Sequence, residues 1–208
     1  MLLVPLILSL TVHEYAHGWT ARRLGDDTAE RAGRLSLNPL VHIDWLGTVL
    51  LPLLGIPFGW AKPVPVDPTR FRRGVRMGTG MALTASAGPI SNVILAILAT
   101  VAYGALVRFS PETLEGTPGV AALLQTVIGI NVSLALFNLI PVPPLDGSRI
   151  VDGFMPYRLR PQWEAFSRLA PFLLIGVMLL GGRLIAGPAS YVFGLLNRLF
   201  AAIIVTGT

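Results

Sequence analysis

Five residues near the start of the chain have the types and spacing for metal chemistry: His13-Glu14-Tyr15-Ala16-His17. On an α-helix, residues i and i+4 share one face, so both imidazoles can reach a single ion. Glu14 stands beside the first imidazole, within reach of a water on that ion. Zinc lowers the pKa of such a water to near 7, and a neighbouring carboxylate can take its proton. The competing reading is a structural polar cluster, since short H-E-x-x-H matches arise by chance in soluble helices. Here the motif lies in an apolar run, where each ionisable group costs about 2.5–3.5 kcal/mol to insert. Three such groups in five residues require a compensating interaction, and a bound metal supplies it.

A catalytic zinc takes three protein ligands and keeps one position open. The chain has no cysteine, three histidines and eleven carboxylates. Asp146 is the best candidate for the third ligand. It follows Pro143-Pro144 and precedes Gly147, residues that take the backbone out of helix and permit a tight turn. It could also cap a helix starting near Gly147, and the two roles are compatible. Asn138 lies in an apolar helix eight residues earlier. It reads either as a helix–helix contact or as a donor to a substrate carbonyl or oxyanion. Asn92 has the same two readings, the structural one weighing more. His42, the third histidine, is not expected on the metal, because a fourth protein ligand would close the site to water. Asp44 is placed to cap the segment after it.

These residues must be positioned by membrane helices. Apolar residues make up 53% of the 208-residue chain and charged ones 13%, against about 25% charged in soluble domains. Runs of about 20 apolar residues span a bilayer core. We expect an all-α polytopic membrane protein with about five transmembrane helices: 2–24, 77–107, 119–140, 169–180 and 184–205. Residues 1–150 would form a membrane-embedded core, and 151–208 an amphipathic segment with further spans. The N-terminal run lacks a basic n-region and a small-residue cleavage site, and it carries the candidate ligands, so it is expected to be retained.

Topology tests the site. The histidines lie in the C-terminal half of the first span and Asp146 at the C-terminal end of a later one. Both reach one ion only if those helices point the same way. A full crossing by 45–60 would put the ligands on opposite sides. Its Pro52, Gly55, Pro57 and Gly59 instead suit a re-entrant element. The alternation in Lys62-Pro63-Val64-Pro65-Val66 suggests short extended strands there; Gly59 to Val66 reads either as an edge that could pair with an extended substrate or as a solvated proline-rich connector. In this arrangement 13 of the 16 basic residues share the metal-bearing face and only Arg108 lies on the opposite loop. That bias orients the site toward the cytoplasm.

Four blocks together resemble the site-2 protease family of intramembrane zinc metalloproteases: His13 to His17; Asn38-Pro39 with His42 to Gly47; Gly88-Pro89-Ile90-Ser91-Asn92; and Phe137 to Pro141 through Leu145-Asp146-Gly147. The pattern is similar to the compact bacterial branch, without a PDZ insert or a CBS domain. The resemblance implies that His13, His17 and Asp146 bind one Zn2+ per chain and that Glu14 is the catalytic base. It also favours substrate contact by Asn138. The substrates would be transmembrane proteins, cut within the bilayer of a bacterial cell membrane.

Two other functions compete. A metal transporter or sensor could use the same ligands but has no need of Glu14. It also wants polar residues along a path, and spans two and three offer only Asn92, Asn131, Asn138 and small hydroxyls. An inactive scaffold would not need an intact ligand set. Nucleic-acid binding is not expected, because the net charge of +5 is not gathered on a soluble basic domain. The sequence does not set the oligomeric state.

Overall fold

The computed structural model describes residues 2–50, 53–54 and 61–205. The helices are α1 (Leu3–Leu24), α2 (Thr28–Arg31), α3 (Met77–Phe109), α4 (Pro111–Gly116), α5 (Pro118–Asn138), α6 (Asp146–Phe154), α7 (Arg160–Arg168) and α8 (Ala170–Val205). Among the described residues there is no strand.

The long helix α3 is the hub, touching α1, α5, α6 and α8. Its buried face reads Ala82, Ala85, Gly88, Pro89, Asn92, Ala96 and Ala99, a helical stripe of mostly small residues. Small side chains let helix backbones approach closely where lipid offers no hydrophobic drive. The other faces expose Leu83, Ile90, Ile94 and Leu98, an apolar surface suited to lipid. Ala96, Val132 and Leu196 join α3, α5 and α8 in one core cluster. A second cluster, Val142, Leu145 and Val177, underpins the turn before α6.

Among the described residues, three helices are long and apolar enough to cross a membrane: α3, α5 and α8. This differs from the expected count in one clear way. The stretches 169–180 and 184–205, read as two spans, form the single 36-residue helix α8, running through Gly181, Gly182 and Arg183. Glycine weakens a helix in water by exposing backbone, but in an apolar setting every peptide group needs an internal partner, which keeps the helix continuous. The first helix, α1, packs on α3 and α5 but carries its charged and imidazole groups within the apolar run.

The extended strands are not found either. Residues 61–67 run without regular structure. Pro63 and Pro65 have no N–H to offer a ladder, and the donors between them are engaged elsewhere. Lys62 N donates to the His42 carbonyl at 2.9 Å, and Val64 N donates to Glu14 Oε2 at 2.8 Å. The proposed re-entrant segment begins as a π-helical stretch, Trp45–Leu50, whose N-terminal amides of Leu46 and Gly47 donate to Asp44 Oδ1. Residues 51–52 and 55–60 of that segment lie outside the described residues.

Candidate metal centre

Helix α1 buries His13, Glu14 and His17 on the face that also carries Leu10, Gly18 and Ala21. The turn after α5 brings Asp146 to the same place as the first residue of α6. Asp146 Oδ2 lies 3.1 Å from His13 Nε2 and 3.3 Å from His17 Nε2. One ligand atom from each of the three residues falls within 4.8 Å of the others. The N-cap position of α6 is taken by Leu145, and Asp146 is the first helical residue, so the capping role considered for Asp146 is not realised. Gly147 makes its approach feasible, because a Cβ there would strike the Leu139 and Ile140 carbonyls.

Both imidazoles are held from behind. His13 Nδ1 is 2.6 Å from Asn92 Oδ1, and His17 Nδ1 is 2.7 Å from the Thr84 carbonyl oxygen. A carbonyl only accepts, so the Nδ1 atoms donate and each neutral ring turns the Nε2 lone pair inward. Asp146 Oδ2 is buried without a well-formed hydrogen bond, although two nitrogens stand close by. Three electron-pair donors therefore converge on one point, an arrangement that a cation satisfies. Burial alone would raise the Asp146 pKa, but the His13 and His17 imidazoles beside it hold its carboxyl well below the usual carboxylate range.

Room for the rings depends on a residue that the motif alone does not reveal. A Cβ on Gly88 would sit 2.5 Å from His13 Cε1 and 2.5 Å from His17 Nε2. Helix α3 thus passes directly against both imidazoles, and only glycine fits. The available signal was the Gly88-Pro89 pair in an apolar span, which indicates a close helix contact without naming its partner.

The remaining candidates are placed as follows. Glu14 is 9% exposed, and its Oε2 accepts from Val64 N. A carboxylate accepts several hydrogen bonds through two oxygens, so this bond holds Glu14 without exhausting it. Asn92 is fully buried and fully engaged: Oδ1 faces His13, while Nδ2 donates to Asn131 Oδ1 at 2.7 Å. In this conformation it orients His13 and presents no free donor to a substrate. Asn138 Nδ2 donates to the Leu134 carbonyl at 3.0 Å on its own helix, and Asn138 is half-buried. His42 stands apart from the metal group; its Nε2 contacts the Ser36 carbonyl at 2.8 Å. A cavity of about 620 Å³ adjoins the turn that carries Asp146, between Pro143, Pro144 and Ser148 on one side and Trp163 and Arg168 on the other.

Comparison with known proteins agrees with this picture. Residues 112–180 match the profile of peptidase family M50. The chain is 39% identical over 184 residues to YwhC of Bacillus subtilis, with 86% of this chain and 81% of that protein covered. It is 30% identical over 179 residues to Rip2 of Mycolicibacterium smegmatis, covering 84% of this chain and 64% of Rip2. It is 31% identical over 168 residues to Atu1380 of Agrobacterium fabrum, covering 73% of this chain and 44% of that protein. All three relatives are named as candidate zinc metalloproteases. No solved structure matches. The match to YwhC runs through most of both chains, and the chain therefore belongs to peptidase family M50, the site-2 protease family of membrane metallopeptidases.

Proposed function

We propose that this chain is an intramembrane zinc endopeptidase that hydrolyses peptide bonds of transmembrane protein substrates. The observation that carries this reading is the convergence of His13 Nε2, His17 Nε2 and Asp146 Oδ2 beside Glu14. These three residues would hold one zinc ion. When bound, the ion supplies the Lewis acidity that lets water act as a nucleophile near neutral pH.

Each protein group then has a distinct task. Glu14 accepts the proton of the attacking water and can return it to the leaving amine. The Val64 N–H keeps its carboxylate aimed. Asn92 and the Thr84 carbonyl hold the two imidazoles in register. Asn138, at the C-terminal end of α5, is the candidate donor to a substrate carbonyl, and it would have to turn away from Leu134 to serve. The 13-to-1 basic bias and the bacterial sources of the relatives support a bacterial cell membrane with the site toward the cytoplasm.

The test pairs two substitutions. Glu14→Gln keeps the size of the side chain and removes the base. Zinc content should stay near one per chain while cleavage falls about 100- to 10,000-fold. Asp146→Asn substitutes a weak ligand and should lose metal together with activity. Substantial cleavage by Glu14→Gln would sink the mechanism. Full zinc retention by Asp146→Asn would remove Asp146 from the ligand set. A transporter or sensor would show metal binding that does not depend on Glu14, with no cleavage by the intact protein.

A further inference from the structure

We infer that Asn131, on α5, is a positioning residue that sets the tautomer of His13 through Asn92 and so tunes the affinity of the metal centre. This inference rests on the metal-binding reading of His13, His17 and Asp146. The residues involved lie on three different helices and are sealed from solvent. Asn92 and Asn131 are 0% exposed, and Ser9 is 3% exposed.

The argument follows the polarity of the hydrogen bonds. Asn131 Nδ2 donates to the Val127 carbonyl at 2.9 Å and contacts Ser9 Oγ at 2.9 Å. A backbone carbonyl can only accept, so this end of the Asn131 amide must be its NH2 group. Its oxygen therefore faces α3, where it meets Asn92 Nδ2 at 2.7 Å. Two oxygens cannot face each other there, so Asn92 must also present its NH2 group to Asn131. The Ser9 carbonyl, 3.5 Å from the same Nδ2, favours that orientation too. Asn92 is left with its oxygen toward His13 Nδ1, at 2.6 Å. His13 must then carry its proton on Nδ1, and its Nε2 lone pair is committed to the site of Asp146 and His17. A carbonyl on α5 thus dictates, through two amides, which ring nitrogen on α1 is available for a metal.

His17 needs no such relay, because its Nδ1 meets the Thr84 carbonyl directly. The relay is needed only where the partner of the ring is an amide, which could otherwise turn either way. Without Asn131, Asn92 can rotate, offer NH2 to His13 and stabilise the opposite tautomer, whose Nε2 carries a proton and cannot ligate. Groups that orient a ligating imidazole typically account for 10- to 100-fold in metal affinity.

The experiment is competition for zinc between a chromogenic chelator and the purified full-length chain. Asn131→Ala should weaken zinc binding about 10- to 100-fold. Thr100→Ala serves as the control. It removes another buried polar group on α3, one bonded only within its own helix, to Ala96 O, and should bind as wild type does. The decisive variant is Asn92→Asp, whose carboxylate offers His13 an acceptor whichever way it turns. On that background Asn131→Ala should cost no further affinity. Equal losses on both backgrounds, or unchanged affinity in Asn131→Ala, would overturn the inference, because a residue that merely packs would behave that way. An equal loss in Thr100→Ala would overturn it as well. A second measurement needs neither metal nor variant. Ring 15N shifts of His13 in the metal-free protein, at a pH where the ring is neutral, should report protonation at Nδ1; protonation at Nε2 overturns the relay. Wild-type protein that holds no zinc would sink the metal-centre reading, and the ring-nitrogen shifts would still decide the relay.

Discussion

The contact between Gly88 and the two imidazoles can be tested by adding a single methyl group. In Gly88→Ala the new carbon would start 2.5 Å from His13 Cε1, 2.5 Å from His17 Nε2 and 2.6 Å from His13 Nε2. Ordinary contacts of this kind are about 3.5–4.0 Å, so something must yield by about 1 Å. The rings cannot swing away cheaply, because each is fastened at Nδ1, to Asn92 at 2.6 Å and to the Thr84 carbonyl at 2.7 Å. A zinc site tolerates errors of only about 0.2 Å around Zn–N distances near 2.0–2.1 Å. Overpacking of this kind costs about 1–3 kcal/mol. If the strain is relieved by giving up ideal ligation, zinc affinity falls roughly 5- to 150-fold, at 1.4 kcal/mol per factor of ten. The fold itself should persist, since replacing glycine by alanine inside a helix contributes about 0.5–1 kcal/mol in its favour. Chelator competition measures the affinity, and a thermal melt of the metal-free protein checks the fold. Gly129→Ala is the control, because a Cβ there meets nothing within 4 Å. If Gly88→Ala binds zinc as tightly as wild type, the helix contact described here does not exist in solution.

Three further outcomes are expected. Val64→Pro deletes the N–H that holds Glu14; a hydrogen bond to a charged group contributes about 1.5–3 kcal/mol, so kcat should drop about 10- to 100-fold with zinc content unchanged, and an unaltered kcat would show that Glu14 is aimed by something else. The Asp146 carboxyl is held below its ordinary value by His13 and His17, so its ionised form stabilises the metal-free fold above about pH 4 and that contribution fades as pH falls through the lowered folded value; acid melts of metal-free wild type should show this loss, and Asp146→Asn should not. Arg73, exposed on the loop before α3, should react as Arg73→Cys with a membrane-impermeant thiol reagent only from the cytoplasmic side, and labelling from outside alone would refute the proposed orientation.

The candidate ligands were legible in the sequence because their signal is local. His13, Glu14 and His17 are tied by helix periodicity, and Asp146 is marked by the prolines and glycine around it. What surrounds them was not legible, because it depends on which helices meet. Asn92 and Asn131 lie 39 residues apart in separate spans, and nothing in either segment announces the pairing. The same holds for Gly88, whose neighbours come from α1. The Pro-Val alternation of 62–66 did indicate an extended backbone, but prolines that favour extension also remove the donors a ladder needs. The stretches 169–180 and 184–205 read as separate apolar runs around residues 181–183, and α8 passes through all of them.

The candidate ligands are also separated in time. His13 and His17 are synthesised first, whereas Asp146 emerges only after α3 and α5 have been made. At about 5–20 residues per second, that interval is on the order of ten seconds. During it the nascent chain holds two imidazoles but no third donor and no α6 turn to close the site. If these three residues hold the metal, the site is incomplete while the chain is being threaded into the bilayer. In the proposed mechanism, hydrolytic competence therefore arrives only once α3, α5 and the first turn of α6 have been made.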